Sequence, residues 1–219
     1  MATTDLKEPV PRKRYTPTSA QVPLLGVIEL KPYRSRRNAP SYVLLLSRRR
    51  TVRIFRRPSE RVLSDLLWLT QGVSSLSSRE HGPLPSPGGL HSVKIVVLHY
   101  PEHPKDAFMY LPDQHTLGLV ATGLAVQAAL RSFSAVVPVG GGSFLWFLGD
   151  KGRLESKYHN PESLMWKEAG VLTAGVYLAA ANLGLNCCAV GRNGGRELKQ
   201  LGSPLKQFTA LGGCIVGVT

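Results

Sequence analysis

Acidic side chains are scarce in this chain: 14 Asp and Glu stand against 27 Lys and Arg over 219 residues, a formal net charge of +13. Cysteine is scarcer still, with only Cys187, Cys188 and Cys214. The adjacent pair has neither redox C-x-x-C nor zinc-finger spacing, so no metal site is expected. In an extended segment Cys187 and Cys188 would point to opposite faces. An odd number of thiols without a secretory signal fits a reducing cytoplasm, where they stay unpaired and buried. The N-terminus has charge and proline but no apolar stretch, so no signal peptide is read there. No long internal repeat recurs, and the absence of G-x-G-x-x-G and Walker loops argues against Rossmann and P-loop nucleotide sites. Charge is missing altogether from 169–191, nominally long enough to span a bilayer. Thr173, Asn182, Asn186 and four glycines interrupt that run, however, and an all-round apolar helix equally suits the core of a large domain or dimer. A buried helix is expected, and no membrane.

The positive charge is unevenly spread. Eleven basic residues (Lys31, Arg34, Arg36, Arg37, Arg48, Arg49, Arg50, Arg53, Arg56, Arg57 and Arg61) face one acid, Glu60, between positions 31 and 61. Such a field attracts phosphates, acidic peptides or nucleic acid. No interleaved aromatic pattern, helix-turn-helix or RNA-recognition signature accompanies it, so a solvated basic face with a phosphate site is expected rather than nucleic-acid binding.

Residues 1–40 are rich in proline and basic residues and read as a partly ordered arm, with a short ordered piece over 22–30; 41–219 reads as one domain. Helices are expected over 41–50, over 60–71 with Ser59 as cap and Gly72 beyond the end, over 122–132, over 161–183 with Asn160 as cap, and over 195–201. Strands are expected over 92–100, 107–111, 116–120, 143–148, 187–190 and 214–218. Helices and strands alternate without a βαβ rhythm, which favours an α+β fold.

Four short motifs can carry chemistry. Arg49, Thr51 and Arg53 place two guanidinium forks and a hydroxyl where they can converge on a phosphate, although a solvated basic run reads the same way. Ser86, Pro87 and Gly88, followed by Gly89, Leu90 and His91, form a loop whose backbone can approach a flat ligand, or an ordinary turn. Lys157 and Tyr158 are two proton-active groups ahead of the uncharged helix; Lys serves as a base when burial or cations lower its pKa, and otherwise the pair is a surface Lys beside a half-buried Tyr. Ala189, Val190 and Gly191 offer backbone to a planar ring, or simply end a strand.

Taken in order, RRTVR (49–53), LSDLLWLTQG (63–72), Arg79 six residues ahead of SPGGLH (86–91), MYLPDQHTL (109–117), KYHNPESLMWKEAG (157–170), LAAANLGL (178–185) and AVG (189–191) resemble the nitroreductase superfamily. The likeness is narrower to its SagB-type, McbC-like branch of azoline dehydrogenases, and it covers 44–218. It implies a central, mostly antiparallel mixed sheet flanked by helices, with the long helix at the interface of a homodimer and FMN between the subunits. By the same resemblance Arg49, Thr51 and Arg53 hold the FMN phosphate and the pyrimidine edge. Ser86, Pro87 and Gly88 reach the flavin from the partner subunit, and Ala189, Val190 and Gly191 lie against the ring. Further phosphate charge is expected from the basic run or from Arg192, because the chain ends at Thr219 without the basic tail of many relatives, and Arg192-Asn193 replace a common Gly-aromatic pair. Lys157 and Tyr158 match the pair that serves azoline oxidation. The implied reaction is dehydrogenation of thiazoline or oxazoline rings to thiazoles or oxazoles in a ribosomally made peptide, with reoxidation by dioxygen. Implied partners are the peptide substrate, a YcaO-type cyclodehydratase and a leader-binding protein. Two other readings stay open: a general NAD(P)H-dependent nitro or quinone reductase, and a flavin-free scaffold subunit of a peptide-modifying complex.

Overall fold

A computed structural model describes residues 7–34, 39–73 and 82–219. Arg36 and Arg37 of the basic run and Arg79 ahead of the glycine loop lie outside the described residues. The elements follow in the order β1 (Val10–Pro11), β2 (Gly26–Glu29), α1 (Tyr42–Arg48), α2 (Glu60–Gln71), β3 (Val93–Tyr100), β4 (His103–Leu111), β5 (Thr116–Thr122) and α3 (Leu124–Ser134). Then come β6 (Ser143–Gly149), α4 (Lys151–Glu155), β7 (Tyr158–His159), α5 (Glu162–Leu183), β8 (Asn186–Val190), α6 (Gly195–Leu201) and β9 (Thr209–Gly217).

Seven strands form one sheet in the order β2-β5-β4-β3-β6-β9-β8, and every pairing in it is antiparallel. The alternation of β3 sends Val93, Ile95 and Val97 to a core shared with α2 and α5, and Val96 and Leu98 to a second core shared with α3 and α6. β8 splits its cysteines the same way: Cys187 enters the first core, with Cys214 of β9, and Cys188 the second, all buried and free. Leu63, Leu66 and Leu67 of α2 are fully buried, worth about 1.5–3 kcal/mol each.

The helix ends explain themselves. Ser59 Oγ accepts the Val62 N–H at 3.3 Å, and Ser41 Oγ accepts the Leu44 N–H at 3.3 Å. Gly184 closes α5 at φ 73°, with the Leu185 N–H returning to the Ala180 carbonyl at 2.8 Å. Gly72 is required for a different reason than a left-handed turn: its φ is −59°, but a Cβ there would lie 2.5 Å from the Trp68 ring. Asn160 does not cap α5. It sits at φ 53° and donates to the Glu8 carbonyl, while Pro161 occupies the cap position. A buried carboxylate fastens α5 instead: Glu168 accepts from Ser92 Oγ at 2.6 Å and from the Val93 N–H at 3.2 Å.

The described residues ahead of α1 contribute two strands. β1 pairs with β7, placing Pro11 opposite Tyr158 and Val10 opposite His159, and β2 adds an edge strand to the sheet beside β5. No helix of the described residues is long and apolar enough to cross a membrane.

Candidate functional site

At the C-terminal end of α5, one tyrosine gathers residues from three elements. Tyr177 points its hydroxyl away from the helix, where it accepts the Ala189 N–H of β8 at 3.0 Å and meets Thr51 Oγ1 at 3.2 Å. The Arg49 guanidinium lies over the Tyr177 ring, 5.7 Å from its centroid. The segment bearing these groups is tied to β8 by the Val52 N–H, which donates to the Cys187 carbonyl at 3.1 Å. The Arg53 charge offsets part of the rise that burial causes in the Cys188 thiol's pKa. Arg49, Thr51, Arg53, Ala189 and Val190 are therefore brought together. Next to them Gly191 is open: a Cβ built there would meet nothing within 4 Å. A cationic, hydroxyl-bearing edge beside exposed backbone and free space suits a flat ligand that ends in an anion.

A second group assembles at the other end of the same helix. The Lys157 ammonium donates to the Gly88 carbonyl at 3.1 Å and lies over the Tyr15 ring, 4.7 Å from its centroid. Gly88 has φ 61°, and a Cβ there would stand 2.7 Å from the Tyr158 hydroxyl and 2.8 Å from Lys157 Nζ. The turn keeps this shape because Ser86 Oγ accepts the His91 N–H at 2.8 Å, while Gly89 N–H donates to the Ser86 carbonyl at 3.0 Å. Ser86 thus braces the loop rather than presenting its hydroxyl. The main chain of Lys157 is held in turn by the Arg12 N–H, which donates to its carbonyl at 2.8 Å. Two proton-active side chains are thereby set against a backbone that only glycine allows to approach so closely.

The two groups do not meet within one chain. From Glu162 at the start of α5 to Tyr177 the helix rises about 22 Å at about 1.5 Å per residue, and Lys157 lies before that start. Arg192 is drawn elsewhere: its guanidinium is held by Ser132 of α3 and by Glu197 of α6 at 3.2 Å. Among the described residues no cluster of three or more His, Cys, Asp or Glu could hold a metal ion. Sequence reasoning missed Tyr177, Tyr15 and Glu168. Tyr177 was visible as a lone hydroxyl aromatic in the uncharged helix, but nothing in the spacing says that it reaches Thr51. Tyr15 belongs to an arm whose register against β7 has no sequence signal.

A family model described as the nitroreductase family matches residues 46–217. No curated protein matches the chain. Solved structures do. A Ralstonia eutropha JMP134 protein assigned to the nitroreductases superposes with a TM-score of 0.70 at 23% identity, covering 97% of this chain and 99% of that one. The Escherichia coli microcin synthetase McbBCD complex with truncated pro-MccB17 bound matches with a TM-score of 0.64 at 20% identity, covering 88% of this chain and 77% of that one. An Anabaena variabilis ATCC 29413 protein, also assigned to the nitroreductases, matches with a TM-score of 0.64 at 16% identity; 80% of this chain covers only 37% of that one. At these identities the structures speak for the fold, an α+β nitroreductase-like arrangement around a mostly antiparallel sheet. The family model covers most of the chain, and with that fold it makes this protein a member of the nitroreductase family, whose members are generally flavin-dependent oxidoreductases and typically bind FMN.

Proposed function

We propose that this chain is an FMN-dependent dehydrogenase that converts thiazoline or oxazoline rings in a ribosomally made peptide into thiazoles or oxazoles. The observation that carries this reading is the gathering of Lys157 and Tyr158 on the carbonyl and open Cα of Gly88. A flavin reductase has no evident need for two proton-active side chains packed on one turn; removal of a ring proton does. The likeness in fold to the microcin synthetase McbBCD complex with truncated pro-MccB17 bound points the same way.

The residues present fit FMN. Arg49 and Arg53 would hold its phosphate, Thr51 the pyrimidine edge, and 189–191 would border the ring where Gly191 leaves space. Bound FMN supplies a two-electron acceptor. Arg192, paired with Glu197 and Ser132, is not among the residues placed to hold FMN. The chain's own work is proton transfer and orientation. The bond from Lys157 Nζ to the Gly88 carbonyl holds the side chain beside the loop, where it can meet a ring proton. The ring proton is acidified by the adjacent C=N and carbonyl, so an amine or phenolate in that position can take it. Tyr15 of the arm packs against the Lys157 side chain.

The site is completed by a second copy of the chain. α1 has no buried residue, and its Tyr42, Val43 and Leu46 are exposed. Beside it α5 leaves Trp166, Gly170 and Ala174 uncovered. This apolar surface along α5 suits a homodimer, with the Lys157 group of one subunit beside the Arg49 group of the other. A cyclodehydratase supplying the azoline and a leader-binding protein are the further partners proposed.

The test is direct. Purified protein, loaded with FMN and given an azoline-bearing peptide, should form the azole. Lys157→Ala and Tyr158→Phe should keep the flavin and lower that rate by about 100-fold or more. Flavin retention with unchanged azole formation would remove the pair from the reaction. Rapid bleaching by NADPH with no azole formed would identify a general reductase instead.

A further inference from the structure

Beside the loop at 86–91, the sheet carries a cleft of about 560 Å³ lined in part by residues 19–22 and 24 of the N-terminal arm. We propose that this cleft is a second ligand site, for an organic anion bearing a carboxylate, with Lys94 as its anchor.

The argument begins with the face on which Lys94 lies. β3 alternates, and Lys94 shares its face with Val96 and Leu98, both fully buried in the core beneath α3 and α6. It stands across from Leu148 of β6. A lysine in the buried stripe of a central strand is costly unless something meets its charge. Among the described residues, no hydrogen bond or ion pair within 4 Å joins Lys94 Nζ to a partner. Three nearby carboxylates attract its charge without bonding it. Asp150 accepts from the Ala20 and Arg153 N–H groups, Glu168 is bonded to Ser92 and Val93, and Asp113 is exposed at the mouth.

A second cation faces the same space. Arg153 lines the cleft with its guanidinium held by the Leu90 carbonyl and Ser19 Oγ. Lys94 is half-buried; burial, followed by repulsion from Arg153, pulls its pKa below that of an ordinary lysine, with Asp150, Asp113 and Glu168 opposing. A bound anion would relieve both effects. Because the Arg153 fork is already occupied, it offers field rather than a bidentate grip, which favours a carboxylate over a phosphate. The remaining wall is apolar, formed by Val22, Leu24, Met109 and Phe208, and suits the carbon skeleton of an organic acid. A free small acid and an acidic peptide share this chemistry. The site stands on its own geometry, apart from the redox reading.

Calorimetric titration of the full-length protein tests it, with succinate, tetraglutamate, inorganic phosphate and tetralysine as probes. Succinate or tetraglutamate should bind at low salt, and preference between them separates a small acid from a peptide segment. Lys94→Met should weaken that binding about tenfold or more, while melting at or above the wild-type temperature because an uncompensated charge is gone. Asp113→Asn, at the mouth and outside the core, should tighten it. No carboxylate binding at about 5 mM, a dissociation constant too weak to matter, would overturn the proposal. So would Lys94→Met binding as well as wild type, or a preference for phosphate or tetralysine. No turnover or flavin is needed, so a negative result leaves the dehydrogenase reading untouched, and a failed turnover assay leaves this one standing.

Discussion

Gly88 concentrates two constraints in one residue. Its left-handed backbone costs a side chain about 1 kcal/mol, and its missing Cβ is what lets Lys157 and Tyr158 close on the loop. Gly88→Ala should therefore fold with a slightly lowered melting temperature yet lose about 100-fold in azoline oxidation, since displacement of about 1 Å can have that effect. Steady-state rates alongside a thermal melt would check it; wild-type turnover would show that the loop does not position the pair. His115 offers a residue-scale prediction of another kind. At φ 50°, its Nδ1 meets the Tyr110 hydroxyl at 2.8 Å, and Nε2 meets Ser64 Oγ at 3.0 Å and the Lys31 carbonyl at 3.1 Å. Burial lowers its pKa, with Arg61 in support and the Lys31 carbonyl and Asp65 opposing. The folded state thus takes up its proton less readily than the unfolded chain. Stability from this group is complete above about pH 6.5 and declines as pH falls below that. Melting temperatures between about pH 7.5 and 5 should drop for the wild type. They should drop less for His115→Asn, which tolerates the same backbone and does not titrate.

Among the elements, α5 and β3 are joined by the Glu168 carboxylate, and removing it strands Ser92 Oγ and the Val93 N–H in the core. Glu168→Ala should cost about 3 kcal/mol in urea unfolding, and Glu168→Gln, which can still accept, about 1 kcal/mol. Equal losses for the two variants would mean that packing, not hydrogen bonding, is the tie. At this scale legibility followed locality. α2 could be read because Ser59, its apolar face and Gly72 lie within one short segment; the bounds of α6 likewise agree with the pattern. β3 was legible from the alternation of Val93, Ile95 and Val97. What escaped depends on distant chain. α4 is five residues long and is held by the Asp150 cap, Ser19 and the arm, and β1 exists only through its pairing with β7. β4 and β9 run longer than their apolar pattern because neighbouring strands template His103 against Tyr100 and Thr209, Ala210 and Gly213 against β6. Asn160 looked like a cap by residue type, but the arm recruits it first. The candidate site was legible as a set of residues. Their division into two groups was not, because motif order says nothing of which end of α5 each motif reaches.

That division governs the whole molecule. The Gly88 loop and the Lys157-Tyr158 pair are locked together by the bond from Lys157 to Gly88, so they travel as one unit. If the loop reaches a flavin held by another subunit, the proton-active pair must go with it. Arg49 and Thr51, bonded through Tyr177 to β8, belong to the opposite end of the helix. Each site in the proposed homodimer is then built from the Arg49 end of one chain and the Lys157 end of the other, and complementation follows from the twofold symmetry. Lys157→Ala and Arg49→Ala proteins should each be inactive alone. After mixing, co-unfolding and refolding at equal amounts, about half of the dimers are heterodimers, and each has one intact site and one doubly damaged site, restoring about a quarter of wild-type activity. A site made within one chain would give no recovery, since neither chain carries both groups. Steady-state azole formation on the refolded mixture, with the dimer fraction checked by light scattering, separates the two outcomes. Recovery near a quarter places the pair in the neighbouring subunit's site; none returns it to its own chain and requires a large movement of α5 to bring the two ends together.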